Sequence, residues 1–110
     1  MKLYGLKNCD SCKKALRDIR NAGKDIEFID IRDGCISFDI IQNWLDQHGD
    51  RALVNRKSTT WRNLNDAERE TRALILLQAH PTLIKRPIIV AGDYSFVGWN
   101  ANIKVTLGIA

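Results

Sequence analysis

Apolar and polar positions in this chain follow two rhythms. Lys2 to Leu6 is a short apolar run closed by Lys7-Asn8, which predicts a first strand. After it, Ala15, Leu16, Ile19 and Ala22 recur at helical spacing, with Lys13, Arg17 and Arg20 on the opposite side. This predicts a helix capped by Cys9 or Asp10 and stopped by Gly23. Ile26, Phe28 and Ile29-Asp30-Ile31 predict a second strand, and Asp33-Gly34 a turn. Ser37 opens a second helix with Ile40, Ile41, Trp44 and Leu45 on one face and Gly49 at its end. Asn55 to Thr60 reads as a polar, basic connection. Asn65-Asp66-Ala67-Glu68 has the pattern of a capping box, and a third helix is expected from there to about His80, with Pro81 ending it. Ile88-Ile89-Val90 and Ser95-Phe96-Val97 predict strands three and four around the turn Gly92-Asp93. Asn100 caps a short last helix carrying Ile103, Val105 and Leu107.

The order is strand–helix–strand, then helices, then a strand pair and a helix. It implies an α/β fold, thioredoxin-like, with a mixed four-stranded sheet and a helical insertion at about 36–82. At 110 residues one domain is expected, spanning 1–110. Composition agrees: 45% hydrophobic and 27% charged residues are ordinary for a globular protein. No apolar run is long enough to span a membrane, and Lys2, Lys7 and Asp10 interrupt any signal-peptide core, so the expected location is cytoplasmic. The net charge of +4 favours anionic partners in general. The cations are spread along the chain, however, and aromatics are 7% without interleaving, so neither nucleic acid nor membrane is expected as a partner. A monomer is expected. Three cysteines make no disulfide framework, and His48 and His80 lack ligand spacing, so no metal is expected.

The chemistry-bearing stretch is Cys9-Asp10-Ser11-Cys12, a C-x-x-C pair between a strand and a helix. Free N–H groups and the dipole at a helix start stabilise a thiolate. Cys9, first in the pair, is the candidate nucleophile. Helix-end interactions of ~0.3–1 kcal/mol fall short of the about 1.4 kcal/mol that one pKa unit requires, so further positive charge must converge on a strongly acidic cysteine. Lys7, Lys13, Arg56 and Arg86 are the candidates. Cys12 is the candidate resolving thiol, attacking a mixed disulfide on Cys9 and releasing the partner. A single-cysteine mechanism with an external thiol is also workable. Cys35 follows a turn and has no partner in sequence; it is taken as incidental, with a distal resolving role as the alternative. Arg86-Pro87 stands before strand three, where thioredoxin-like proteins carry a cis proline facing the reactive cysteine. Arg86 would then lie beside the sulfur, with a planar fork suited to a carboxylate or oxyanion. Arg56, in Val54-Asn55-Arg56-Lys57, is a second candidate for anion binding.

Several of these segments together resemble one family. Lys7-Asn8-Cys9-Asp10-Ser11-Cys12-Lys13-Lys14-Ala15, Leu53-Val54-Asn55-Arg56, Ser58-Thr59-Thr60-Trp61-Arg62 and Ile84-Lys85-Arg86-Pro87-Ile88-Ile89-Val90 are similar to the arsenate reductase/Spx (ArsC-like) family, and most of all to its YffB branch. The resemblance implies the fold expected above, Cys9 as reactive cysteine, and Asn8, Arg56, Arg86 and Pro87 as substrate- or anion-binding residues. It implies a glutathione-dependent thiol reductase with no tightly bound cofactor, using glutathione as co-substrate and glutaredoxin as an optional partner. Two alternatives follow from other branches: a glutathione- and glutaredoxin-coupled arsenate reductase, and an Spx-like redox switch that binds RNA polymerase. The arsenate reductases carry a third Arg after the last hairpin and a His ahead of the cysteine. Here those places read Gly98-Trp99-Asn100-Ala101-Asn102 and Lys7-Asn8, which turns the expectation toward disulfide chemistry.

Overall fold

A computed structural model describes residues 1–33 and 36–109. The Asp33-Gly34 turn falls partly outside this range, and Cys35 wholly so. The chain forms two compact units: residues 1–30 with 86–110, and residues 31–85.

The first unit holds the sheet. Strands β1 (Lys2–Gly5), β2 (Glu27–Asp30), β3 (Ile88–Ala91) and β4 (Tyr94–Val97) lie in the order β2-β1-β3-β4. β1 runs parallel to β2, pairing Leu3 with Phe28, and antiparallel to β3, pairing Leu3 with Ile89. β3 and β4 form the antiparallel hairpin, turning through Gly92 at φ 60°, where a side chain would be strained. Helix α1 (Asp10–Asn21) connects β1 to β2 and buries Cys12, Ala15 and Ile19, spaced by three and four residues, against Leu3 and Ile89. It ends as the sequence requires. Gly23 takes φ 78°, its N–H donates to the Arg20 carbonyl at 3.0 Å, and the Lys24 N–H reaches the Ile19 carbonyl at 3.3 Å.

The second unit is helical. Helix α2 (Phe38–His48) is capped by Ser37, whose Oγ accepts the Ile40 N–H at 3.3 Å, and buries Ile41 and Trp44. Next come α3 (Asp50–Leu53), α4 (Thr59–Arg62), α5 (Asp66–Arg69) and α6 (Ala73–Ala79), then a 3₁₀ turn at Pro81–Leu83. The two ends of this helical run meet. Val54 and Ile84 form a β-bridge, and the Asn55 and Lys85 N–H groups donate to the Leu83 and Leu53 carbonyls, each at 2.8 Å.

Two expectations are corrected here. The helix expected from Asp66 to His80 is broken into α5 and α6. Its capping box forms as foreseen, with Asn65 and Glu68 exchanging hydrogen bonds of 2.8 and 2.9 Å. The break lies at Arg72, whose backbone leaves the helical region (φ −54°, ψ 139°). Just before it, the Arg69 side chain reaches back to donate to the Trp61 carbonyl at 3.2 Å and the Arg62 carbonyl at 3.1 Å. The Trp61 carbonyl also accepts the Leu64 N–H at 3.1 Å, so Arg69 adds to a carbonyl already engaged at the end of α4. The connection expected over Asn55 to Thr60 contains the start of a helix, because Ser58 Oγ accepts the Trp61 N–H at 3.1 Å and nucleates a turn.

Candidate active site

Cys9 is the N-cap residue of α1, with extended backbone (φ −86°, ψ 120°). Its N–H donates to the Leu6 carbonyl at 3.2 Å, and its carbonyl accepts the Lys13 N–H at 3.0 Å. The residue is therefore fixed on both sides while its side chain stays partly exposed. An N-cap normally offers an oxygen to an amide two or three residues on. Cys9 offers sulfur and makes no complete side-chain cap bond of that kind. The Cys12 N–H, at the third helical position, nevertheless faces it and favours the anion.

The two thiols are driven apart in acidity. Burial acts most strongly on Cys9 and pushes it up, but the Cys12 N–H, the Cys12 thiol and the Arg86 guanidinium act together against it. The net result holds Cys9 below the ordinary thiol value of 9.0. Arg86 contributes both a side-chain hydrogen bond and its charge. Cys12 is fully buried (0% exposed) and is pushed up to about 12. Burial is the main cause; the Leu6 N–H opposes it, and the hydrogen bond to Cys9 and the Cys9 charge add to it. The pair is thus unequal, with Cys9 the more readily ionised thiol and Cys12 the one held protonated. At neutral pH Cys12 therefore stays protonated.

Gly5 makes the burial of Cys12 possible, and the sequence reading did not single it out. A Cβ built on Gly5 would collide with Cys12 Sγ and lie 3.3 Å from Cys12 Cβ and 3.2 Å from Leu3 Cδ2. A glycine inside an apolar strand run marks close approach of another group, and that was the available signal.

The remaining expected residues are placed as follows. Arg86 precedes Pro87 through a cis peptide bond. Pro87 is fully buried, and its carbonyl accepts the Gly98 N–H at 2.8 Å. Lys7 and Asn8 lie exposed in the turn before Cys9, and Lys13 is exposed on the first turns of α1; Arg86 is the cation acting on the sulfur. Arg56 belongs to the second unit, where its guanidinium stacks on Trp61 at 5.4 Å from the ring centre, with Arg69 at 5.6 Å. Among the described residues no cluster of His, Cys, Asp or Glu could hold a metal ion, and no helix is long and apolar enough to cross a membrane.

A partly exposed cysteine at a helix start, a buried cysteine one turn on and a cis proline ahead of β3, on a β2-β1-β3-β4 sheet, define a thioredoxin-like protein. The ArsC family model matches residues 4–103, and the chain belongs to that family. An uncharacterized protein of Haemophilus influenzae is 38% identical over 102 residues, covering 89% of this chain and 90% of that protein. The solved structure of the YFFB protein is 30% identical and superposes with a TM-score of 0.90, covering 99% of this chain and 98% of its own. An arsenate reductase (ArsC) related protein from Brucella melitensis is 28% identical with a TM-score of 0.73, covering 96% and 92%. An arsenate reductase from Vibrio cholerae shares the fold at a TM-score of 0.78 and 21% identity, covering 100% and 98%.

Proposed function

We propose that this protein is a thiol–disulfide oxidoreductase that reduces glutathione-linked disulfides through Cys9. The observation that carries the reading is the convergence of three donors on one partly exposed sulfur: the Cys12 N–H, the Cys12 thiol and Arg86. Membership of the ArsC family supports redox chemistry at this position. The Cys9 thiolate attacks one sulfur of the disulfide. That S–S bond breaks, its electron pair leaves on the other sulfur, and this thiolate takes a proton from water. Arg86 carries a permanent charge that orients a carboxylate of glutathione at the sulfur and keeps Cys9 ionised. Pro87 and Asn8 are proposed to border the same ligand.

Resolution falls to a second glutathione. Cys12 is adjacent but carries almost no thiolate, because burial dominates its acidity. When Cys9 enters a mixed disulfide its charge is gone, and two of the causes that raise Cys12 go with it, yet burial remains. Glutathione thiolate therefore attacks the glutathione sulfur on Cys9, forming oxidised glutathione and returning Cys9 as thiolate.

The test is incubation with oxidised glutathione followed by intact mass of the wild type, Cys9→Ser and Cys12→Ser. The expected result is one glutathione on the wild type and on Cys12→Ser, and none on Cys9→Ser. An adduct on Cys9→Ser as rapid as on the wild type rejects the reading. If the wild type passes to an internal disulfide while Cys12→Ser keeps its adduct, Cys12 is the resolving thiol.

A further inference from the structure

A second feature is formed by the turn before Cys9, the first turns of α1 and Phe28 of β2. Leu6, Leu16 and Phe28, together with Lys7 and Lys13, line a pocket of about 130 Å³. For scale, a cavity of about 150 Å³ accepts benzene, so this one fits a single branched aliphatic or phenyl group. It is tied directly to the reactive residue. The carbonyl of Leu6 holds the Cys9 N–H, the N–H of Lys13 holds the Cys9 carbonyl, and Cys9, Leu16 and Phe28 pack on the same core cluster around Cys12. The two lysines stand two residues before and four after Cys9, and both are exposed. Among the described residues neither is paired with a carboxylate.

We propose that this pocket receives the peptide half of the substrate disulfide, and that the substrate is a glutathionylated peptide with a bulky apolar residue beside its cysteine and an acidic residue next to that. The inference rests on the reading of Cys9 given above and names its substrate class. Glutathione has no large apolar group to fill the pocket, whereas a leucine or phenylalanine side chain matches its volume and an adjacent carboxylate meets the two lysines. In the reaction the Cys9 thiolate attacks the glutathione sulfur. A Cys9–glutathione disulfide forms, the peptide's bond to that sulfur breaks, and the peptide leaves as a thiolate that is then protonated. Electrons balance within this exchange, and glutathione regenerates the enzyme as before. The apolar contact holds the leaving group in line, and the lysines favour its acidic flank.

The experiment measures release of peptide thiol from four glutathionylated hexapeptides. The residue beside cysteine is Leu or Ala, and the next is Glu or Lys. Oxidised glutathione serves as the reference substrate. For the wild type, kcat/KM should be about tenfold or more higher for Leu than for Ala, the scale set by filling or leaving empty a small apolar site. The Glu peptide should exceed the Lys peptide several-fold at low salt, and this gap should close at high salt. The Leu-over-Ala ratio should fall toward one in Leu16→Gln. Should Leu16→Gln fail to fold, the surface variant Lys7→Glu/Lys13→Glu keeps the test alive, since it should invert the Glu-over-Lys preference. Equal rates for all four peptides, with normal adduct formation from oxidised glutathione, overturn the pocket inference alone. No Cys9 adduct from either oxidised glutathione or any peptide overturns the underlying reading.

Discussion

At the residue scale the site works by making two cysteines unequal. One helical turn separates them, yet Cys9 is held below the ordinary thiol range while Cys12 rises to about 12. The difference comes from where the helix puts each: Cys9 at the open cap, Cys12 on the face packed against β1. Gly5 is the hinge of this arrangement, since any larger residue meets the Cys12 sulfur. Gly5→Ala should destabilise the protein by about 1–3 kcal/mol through overpacking. The added loss should shrink in Gly5→Ala/Cys12→Ala, where the colliding atom is gone. Urea unfolding of the four proteins checks this; strictly additive effects would count against the contact. The position of the pair between strand and helix was legible from spacing alone. Its inequality was not, because burial depends on which atom lies across from Cys12, and that atom comes from a different element.

At the element scale, what was legible was local. Ser37, Asn65 and Asn100 each cap the helix expected after them, because an N-cap needs only an amide two or three residues away. The α5–α6 break was illegible because no Gly or Pro marks it: Arg72 leaves the helical region (φ −54°, ψ 139°) in a segment of ordinary helix-forming residues, beside Arg69, whose side chain is bonded to carbonyls seven and eight residues back. Asn65→Ala should therefore cost about 1 kcal/mol, read from the urea midpoint, by removing one half of the capping box. In the first unit, α1 is fastened to the helix α7 (Ala101–Thr106) by Asp18. Its Oδ2 accepts Trp99 Nε1–H at 2.9 Å and lies 3.8 Å from Lys104 Nζ. The Trp99 bond is the leading cause that holds Asp18 below the ordinary value of 3.8, with Lys104 adding to it. A carboxylate with a lowered folded pKa contributes stability that is present above pH 3.8 and lost as pH falls through the lower folded value. Unfolding followed from pH 7 to pH 2 should show a steeper acid loss in the wild type than in Asp18→Asn; parallel curves would contradict the role.

For the whole molecule, the buried thiol ties stability to alkaline pH with the opposite sign. Cys12 is raised from 9.0 to about 12, so its contribution is full below pH 9 and fades as pH climbs toward 12. Compared in a Cys9→Ser background, the stability advantage of Cys12 over Cys12→Ala should decline between pH 8 and pH 11, since burial, the leading cause, survives the first substitution. A constant difference would mean that Cys12 is not shielded from water. The succession of strands and helices along the chain was legible from hydrophobic period and turn residues. What no period encodes is that residue 86, remote in sequence from 9 and 12, acts on the same sulfur. That convergence is the central claim, and the pH dependence of Cys9 alkylation by iodoacetamide tests it most directly, run on the wild type, Arg86→Gln and Cys12→Ala. The expected result is a wild-type midpoint below 9.0, displaced upward in both variants. A wild-type midpoint at or above 9.0, or one that neither substitution moves, would contradict it.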